Sequence, residues 1–342
     1  MQGCDIMSKK GTVSEIARLA KVSPATVSRV MNHPELVKAD TVELVRTAME
    51  QLGIENKHKS DEESKRKKDI VILNVQDINN VFYDEIMNGA NTSAAAHNIN
   101  LIITQFPLMK ASISEFINLI KSIEAVGVIL LSKLDRAVLD EIAKYTTIVQ
   151  CSEYNPETDY PYISINNYSS AKAATEYLIA SGRNRIAFVN GPLTYNYAIE
   201  RQRGFVDAMN GADVRIRSHW MINVPKMDFS IAYATICRLF DSPIIPNAIF
   251  CSSDILAAAA IRASRHFNMK VPKDIAIVGF DNIPFASMST PSITTVSQPN
   301  YQLGYIACEM LLEHILNPET ATNSILLNTE FIVRESTTSS KF

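Results

Sequence analysis

The stretch from Lys21 to Asn32 carries the plainest chemistry in this sequence. Lys21-Val22-Ser23 interrupts one short helical pattern, and Pro24-Ala25-Thr26-Val27-Ser28-Arg29-Val30-Met31 begins another. Ser23 is placed to cap the second helix. Pro24 can open it, because the first-turn donor that proline lacks would have had no helical partner. Val27, Val30 and Met31 then share an apolar face, which leaves Ala25, Thr26, Ser28 and Arg29 outside. Small residues at the start allow close approach of the backbone. Arg29 can donate paired hydrogen bonds to guanine or to phosphate, and the hydroxyls of Thr26 and Ser28 suit phosphates and base edges. This is chemistry for the surface of a nucleic-acid duplex.

Catalytic chemistry has no comparable foothold. The sequence contains no P-loop, no G-x-G-x-x-G and no G-x-S-x-G, and its six histidines are scattered without metal-ligand spacing. Cys4, Cys151, Cys237, Cys251 and Cys308 are odd in number, widely dispersed and free of any C-x-x-C pair, as expected of reduced thiols. Neither an enzyme nor a resident metal or cofactor is expected.

The elements that must position the N-terminal residues are helices. Thr12-Val-Ser-Glu15 is a capping box, and Val13, Ile16, Ala17 and Ala20 follow along one face. A third helix runs to Leu52 with Val42, Val45, Met49 and Leu52 inward, and Gly53 is placed to end it. Two short helices joined by a tight turn form the unit that lays its second helix in the major groove. Residues 55 to 68 contain no apolar side chain, so they cannot be buried and read as a linker.

From Asp69 the pattern changes. Short β-branched runs at 70–75, 101–104, 126–131, 185–189, 248–251 and 275–280 alternate with amphipathic helical segments such as 85–97 and 114–123. Continuous apolar strands separated by helices mean parallel sheets covered on both faces. About 270 residues of this pattern exceed one doubly wound sheet, so two lobes are expected. The whole chain of 342 residues has a composition that is 46% hydrophobic and 20% charged, ordinary for a globular protein, and its net charge of −3 leaves room for a small basic face. No apolar run reaches membrane-spanning length, and Met1 to Lys10 lacks the pattern of a secretory signal. A cytoplasmic protein is expected, which disfavours an exported solute-binding protein without a DNA role.

Several motifs, in one order, resemble the lactose-repressor family of bacterial transcription regulators. They are Val22-Ser-Pro-Ala-Thr-Val-Ser-Arg-Val30 with Asn32 and Leu36-Val37, then Ala48 to Gly53, then Ser181 to Ala187 before Gly191-Pro192. Asp254 follows Ala248 to Cys251, and Val278 to Ile283, Thr294 to Pro299 and Phe331 to Thr337 complete the set. The resemblance covers nearly all of residues 12 to 337. It implies an all-α helix-turn-helix DNA-binding domain at 12–54, with Thr12, Ser23, Pro24, Ala25, Thr26, Ser28, Arg29 and Asn32 at the DNA. After the polar linker at 55–68, it implies an α/β effector-binding and dimerisation domain at 69–337, resembling periplasmic binding proteins. Lobe 1 would hold about 69–164 and 298–324, and lobe 2 about 165–297 and 325–337.

The same resemblance implies an effector between the lobes. Phe82 and Tyr83 offer aromatic faces for a sugar or base ring, Arg201 offers paired donors, and Asp281 can accept from neighbouring hydroxyls. Asn166 stands where the family usually has aspartate, and Tyr195 and Tyr197 lie in a loop expected to face the cleft. The spacing reads like nucleoside-responsive members, so a nucleoside is the expected effector and a sugar the alternative. The partners implied are operator DNA, that effector and a second copy of the chain, with 85–96 and 255–261 as candidate dimer faces. One departure stands out. Relatives follow the head with a proline-containing turn and a hinge helix whose leucine wedges into the minor groove. Here Gly53-Ile54 leads into the wholly polar 55–68, so a tether is expected, with six basic residues between Lys57 and Lys68 following phosphates.

Overall fold

A computed structural model of the chain describes residues 13–32, 37–52, 69–109, 112–318 and 323–338. The chain divides into two compact units, residues 1–68 and 69–342. Thr12 and the tether expected at 55–68 lie outside the described residues.

The first unit holds α1 (Val13–Leu19), α2 (Pro24–Asn32) and α3 (Ala39–Gln51). Lys21 at φ +53° turns the chain between α1 and α2. The Ser23 hydroxyl then accepts from the Thr26 amide at 3.1 Å, the capping role its position suggests. Ile16, Ala17, Ala20, Val27, Val30, Val45, Ala48 and Met49 meet in one core. Val27 and Val45 are fully buried, each contributing about 1.5–3 kcal/mol.

The second unit contains two six-stranded sheets. The first has the order β11-β5-β4-β3-β1-β2 and is parallel throughout, with β1 (Ile70–Asn74), β2 (Asn100–Thr104), β3 (Gly127–Leu130), β4 (Thr147–Cys151), β5 (Tyr162–Ile165) and β11 (Ile325–Leu327). The second has the order β12-β10-β9-β8-β6-β7. Its strands are β6 (Ile186–Asn190), β7 (Met221–Asn223), β8 (Ala248–Cys251), β9 (Ala276–Asp281), β10 (Thr294–Ser297) and β12 (Glu330–Ile332), and only β12 runs antiparallel to its neighbour. Central strands such as β6, β8 and β9 are buried along their whole length, which is why they read as unbroken apolar runs.

The chain passes between sheets after β5, after β10 and between β11 and β12. This corrects one expected boundary. Residues 325–327, assigned to the second lobe, pair with Ile163–Ile165 in the first sheet. Ile325 and Leu327 there pack into the larger core, and such an apolar pair is served equally well by either sheet edge, so composition could not choose.

Among the described residues the strands are accompanied by α4 (Asp84–Ala96), α5 (Ile113–Ile123), α6 (Arg136–Ala143), α7 (Asn167–Ala180), α8 (Asn196–Gly211), α9 (Phe229–Phe240) and α10 (Asp254–His266). The five-residue α11 (Pro284–Met288) and α12 (Asn300–Leu316) complete the set. The face at 255–261 expected to serve a dimer is buried inside the protein: Leu256 to Ala260 and Ile261 belong to the core of the second lobe. The helix packs against β9, β8 and α9, so its alanines are core, while Ile255 is half-buried and lines the cleft. Half of α4 is likewise turned toward α12, with Ile86, Gly89, Ala90, Ser93 and Ala94 buried. The lone tryptophan, Trp220, is packing, 1% exposed in the same second-lobe core.

Candidate functional site

Open parallel sheets place ligands outside the carboxyl ends of their strands. Here the ends of both sheets converge. Gln76 lies just past β1, Ser152 and Glu153 follow β4, and Asn167 follows β5; on the other side Pro192 follows β6, Ser253 follows β8, Asp281 ends β9 and Gln298 follows β10. Together with the loops at 77–83, 195–197 and 225–229 they line a cleft of about 430 Å³, ample for a small organic ligand.

Arg201 is the centre of the cleft wall. It lies on the second turn of α8 and is 4% exposed. Its Nε donates to Asn167 Oδ1 at 2.9 Å, and Nη1 donates to the Ser252 carbonyl at 2.6 Å and to Asp281 Oδ1 at 3.4 Å. The guanidinium also sits 3.5 Å over the Phe280 ring and 4.9 Å from the Tyr197 ring, a cation-π sandwich. Burial draws its pKa down, and Asp281 and the neighbouring carboxylate Glu153 oppose that shift. The partner is therefore Asp281 across the sheet, and not a neighbour on its own helix.

Asp281 leaves β9 at φ +102°, followed by Asn282 at +55°. Left-handed backbone at two successive non-glycine residues is strained, and it turns the chain sharply at the mouth of the sheet. Asp281 Oδ1 accepts from Gln298 Nε2 at 2.7 Å as well as from Arg201. Burial raises its pKa, opposed first by the Arg201 charge.

The aromatic residues surround this pair. Asn80 caps a short turn by accepting from the Phe82 amide at 3.1 Å, and Asn300 donates to the Phe82 carbonyl at 3.3 Å, so Phe82 and Tyr83 are held from two sides. Their rings meet edge to face with centroids 5.2 Å apart. Phe82 is half-buried and Tyr83 buried. Tyr195 and Tyr197 stack at 5.5 Å on the opposite wall. Burial raises the pKa of Tyr83 and of Tyr197, so both hydroxyls stay protonated.

Asn166 does not line the cleft. It is exposed, and its side chain caps α7 by accepting from the Ser169 amide at 2.9 Å. Its neighbour Asn167 is buried and is the residue that meets Arg201. In an Asn-Asn pair at a helix start, one side chain caps and the next turns inward, and the pairing here is one residue later than expected.

Glu153 was not found from the sequence. It is 5% exposed in the loop after β4, and it reaches from the first lobe to the second. Its Oε2 accepts from the Asn196 amide at 2.9 Å and its Oε1 from the Tyr197 amide at 3.0 Å, closing the open N-terminus of α8. Burial pushes its pKa up to about 7, opposed by those two amides and by Arg201 and Lys133. Its folded pKa thus lies above the ordinary 4.5, so its contribution to stability is fully present below that value and is lost as pH rises through about 7. Glu153→Gln is expected to flatten the fall in stability between about pH 5 and 8 relative to the parent chain. Urea midpoints measured across that range check this, and parallel curves would show that Glu153 does not titrate there.

On the head, Ser23, Pro24, Ala25, Ser28 and Arg29 are exposed and Thr26 is half-buried, with the Thr26 hydroxyl 2.8 Å from that of Ser23. The side chain of Asn32 lies outside the described residues. Among the described residues no helix is long and apolar enough to cross a membrane, and no cluster of His, Cys, Asp and Glu could hold a metal ion.

A helix-turn-helix unit together with a two-lobed α/β unit built around a ligand-sized cleft defines a DNA-binding regulator with a sensor domain. The chain belongs to the lacI family of bacterial regulatory proteins. Residues 12–54 match "Bacterial regulatory proteins, lacI family" and residues 175–337 match "Periplasmic binding protein-like domain". The chain is 30% identical over 328 residues to the HTH-type transcriptional repressor CytR of Escherichia coli (strain K12), covering 95% of this chain and 96% of that one. It is 28% identical over 326 residues to the ribose operon repressor of Haemophilus influenzae, covering 95% and 98%. Among solved structures, the transcriptional regulator CelR–cellobiose complex superimposes with a TM-score of 0.72 at 27% identity, over 96% of this chain and 100% of that one. The chain is accordingly a non-enzymatic, DNA-binding transcription regulator carrying an effector-binding domain.

Proposed function

We propose that this regulator is a homodimeric repressor whose operator affinity is set by a nucleoside or sugar held between its two lobes. The observation that carries this reading is the buried Arg201–Asp281 pair at the meeting of both sets of strand ends, between the aromatic walls of Phe82–Tyr83 and Tyr195–Tyr197. Paired donors and acceptors between ring faces suit a molecule with a flat or ring-shaped body and several hydroxyls. Tyr195 and Tyr197 favour a nucleoside, whose base can lie along a ring. Sugars are the second reading, supported by the ribose operon repressor and the CelR–cellobiose complex among the similar proteins. The dimer follows from the head: one short recognition helix reaches few base pairs, and two-fold pairing doubles the site. Ser23, Pro24, Ala25, Thr26, Ser28 and Arg29 are assigned to DNA, and Thr12 and Asn32 remain assigned from the family pattern.

The test begins with a gel-shift on DNA upstream of the protein's own coding sequence, with and without candidate ligands. Arg29→Ala is expected to weaken specific binding by about 1–3 kcal/mol, since a bidentate base contact is worth about that much, and to leave the fold unchanged because Arg29 is exposed. Specific affinity within twofold of the parent would remove Arg29 from the reading surface. A ligand present at about 100 times its dissociation constant should add roughly 2.7 kcal/mol of stability.

A further inference from the structure

The cleft offers few free groups that could hold an anion. A dianionic ligand such as a phosphate ester is ordinarily held by helix N-termini and by cations with donors to offer. Four long helices of the second lobe begin on this cleft, and each start is already closed from within the protein. The N-terminus of α8 receives Glu153, a carboxylate delivered from the opposite lobe. That of α9 is capped by Asp228, whose Oδ1 accepts from the Ile231 amide at 2.9 Å. The first turn of α10 carries the fully buried Asp254 beside its Ser253 cap, and α7 is capped by Asn166.

The cations are no more available. Arg201 has its Nε and Nη1 engaged by Asn167, the Ser252 carbonyl and Asp281, and among the described residues Lys226, which is exposed, is the one other cation in the lining. Against these two stand the carboxyl groups of Asp77, Glu153, Asp228 and Asp281. Even with Glu153 protonated, three carboxylates face two cations, one of which is already ion-paired. A phosphate entering here would exchange water for carboxylates, and a buried charge without compensating donors is strongly disfavoured. A ligand hydroxyl meets the opposite situation, because carboxylates accept from it readily.

We propose that the effector is uncharged, and that Glu153 and Asp228, by filling the helix N-termini that open on the cleft, make the sensor discriminate the neutral nucleoside or sugar from its phosphorylated form. This rests on the cleft being the effector site. A regulator of this kind would answer to the molecule before phosphorylation, the form that a kinase consumes or a phosphatase releases.

The experiment uses the full chain in matched pairs: adenosine, cytidine and uridine against their 5′-monophosphates, and ribose and glucose against ribose 5-phosphate and glucose 6-phosphate, with inorganic phosphate alongside. Binding is read by thermal shift and by calorimetry. A neutral compound is expected to bind at least thirtyfold more tightly than its own phosphate ester, and Glu153→Ala is expected to narrow that gap at least fivefold. Asp228→Ala, which opens the start of α9 where asparagine would still cap it, serves as a second variant should Glu153→Ala prove too unstable to measure. A phosphate ester that binds the parent chain as tightly as its neutral partner overturns the proposal. So does a gap that neither substitution narrows, because the capped helices would then not be its source. If no compound of either kind binds while specific operator binding is intact, the sensor reading itself fails, and the proposal with it.

Discussion

Arg201→Ala is expected to destabilise the second unit by about 3–5 kcal/mol, because it leaves the Asp281 carboxylate buried without its ion partner. Asp281 and Arg201 are both almost wholly enclosed, at 9% and 4% exposure, so water from the cleft compensates the lost charge only in part. The same substitution removes the donors to Asn167 and to the Ser252 carbonyl, which tie α8 to α7 and to β8. Arg201→Lys is expected to recover little, since a single ammonium cannot serve three partners that a planar guanidinium reaches at once. The double variant Arg201→Ala, Asp281→Asn is the informative comparison. Asparagine tolerates positive φ better than most residues, so it removes the orphan charge without adding strain at φ +102°. The double variant should therefore regain at least about 1 kcal/mol over Arg201→Ala alone, a coupling that independent sites do not show. Urea unfolding of the four proteins of the cycle measures it. A loss below about 1 kcal/mol in Arg201→Ala, with additive behaviour in the double variant, would mean that the pair is not an internal support. Effector binding should be lost in both, while operator binding without effector persists wherever the protein remains folded.

The residues that were legible in the sequence were those whose environment is local or periodic. The turn between α1 and α2 declared itself through Ser23-Pro24, and the sheets through apolar runs such as Ala248–Cys251, because strands buried on both faces tolerate nothing else. Arg201, Asp281, Phe82 and Tyr83 were placed by the family resemblance, and they lie together in one cleft. What escaped was decided by tertiary neighbours. Glu153 sits in Cys-Ser-Glu-Tyr, which has no motif, and its role is set by the start of α8 more than forty residues later. One signal was present: polar residues directly after a buried strand such as Ile148–Cys151 stand where open α/β sheets hold ligands, and that rule also points to Gln76 and Gln298. The apolar run at 255–261 was visible as apolar, but a sequence does not say which face of a helix the rest of the chain will cover. Here it covers nearly all of that run. The Asn166–Asn167 choice was a register of one residue, the finest distinction a helix start allows and the hardest to read without its partner, Arg201.

Gly304→Ala is expected to cost about 3 kcal/mol or more, the upper range of overpacking in a close-packed interior. Gly304 on α12 and Gly89 on α4 form a reciprocal contact in which the two helices touch through their backbones. A Cβ at Gly304 would lie 1.8 Å from the Ile86 carbonyl oxygen and 2.7 Å from its carbon, and one at Gly89 would lie 2.0 Å from the Tyr301 carbonyl oxygen. The obstacles are main-chain atoms inside helices, which cannot rotate away as a side-chain tip can, so the helices must part by more than an ångström. Around the contact, Ile86, Ala90, Ala94, Leu303 and Ala307 are fully buried, and parting the helices would loosen all of them. The consequence reaches the cleft. Asn300, at the start of α12, donates to the Phe82 carbonyl at 3.3 Å, so a shift of α12 against α4 moves the aromatic wall formed by Phe82 and Tyr83. Gly304→Ala should therefore weaken effector binding even under conditions where the protein stays folded. Gly211 provides the control. It lies at the end of α8 with nothing within 4 Å of its added Cβ and no left-handed φ. Gly211→Ala should be neutral or stabilise by up to about 1 kcal/mol, through helix propensity and lower entropy of the unfolded chain. Urea midpoints of the two variants make the comparison. If Gly304→Ala loses less than about 1 kcal/mol, α4 and α12 can slide apart freely, and their contact does not hold the aromatic wall in place.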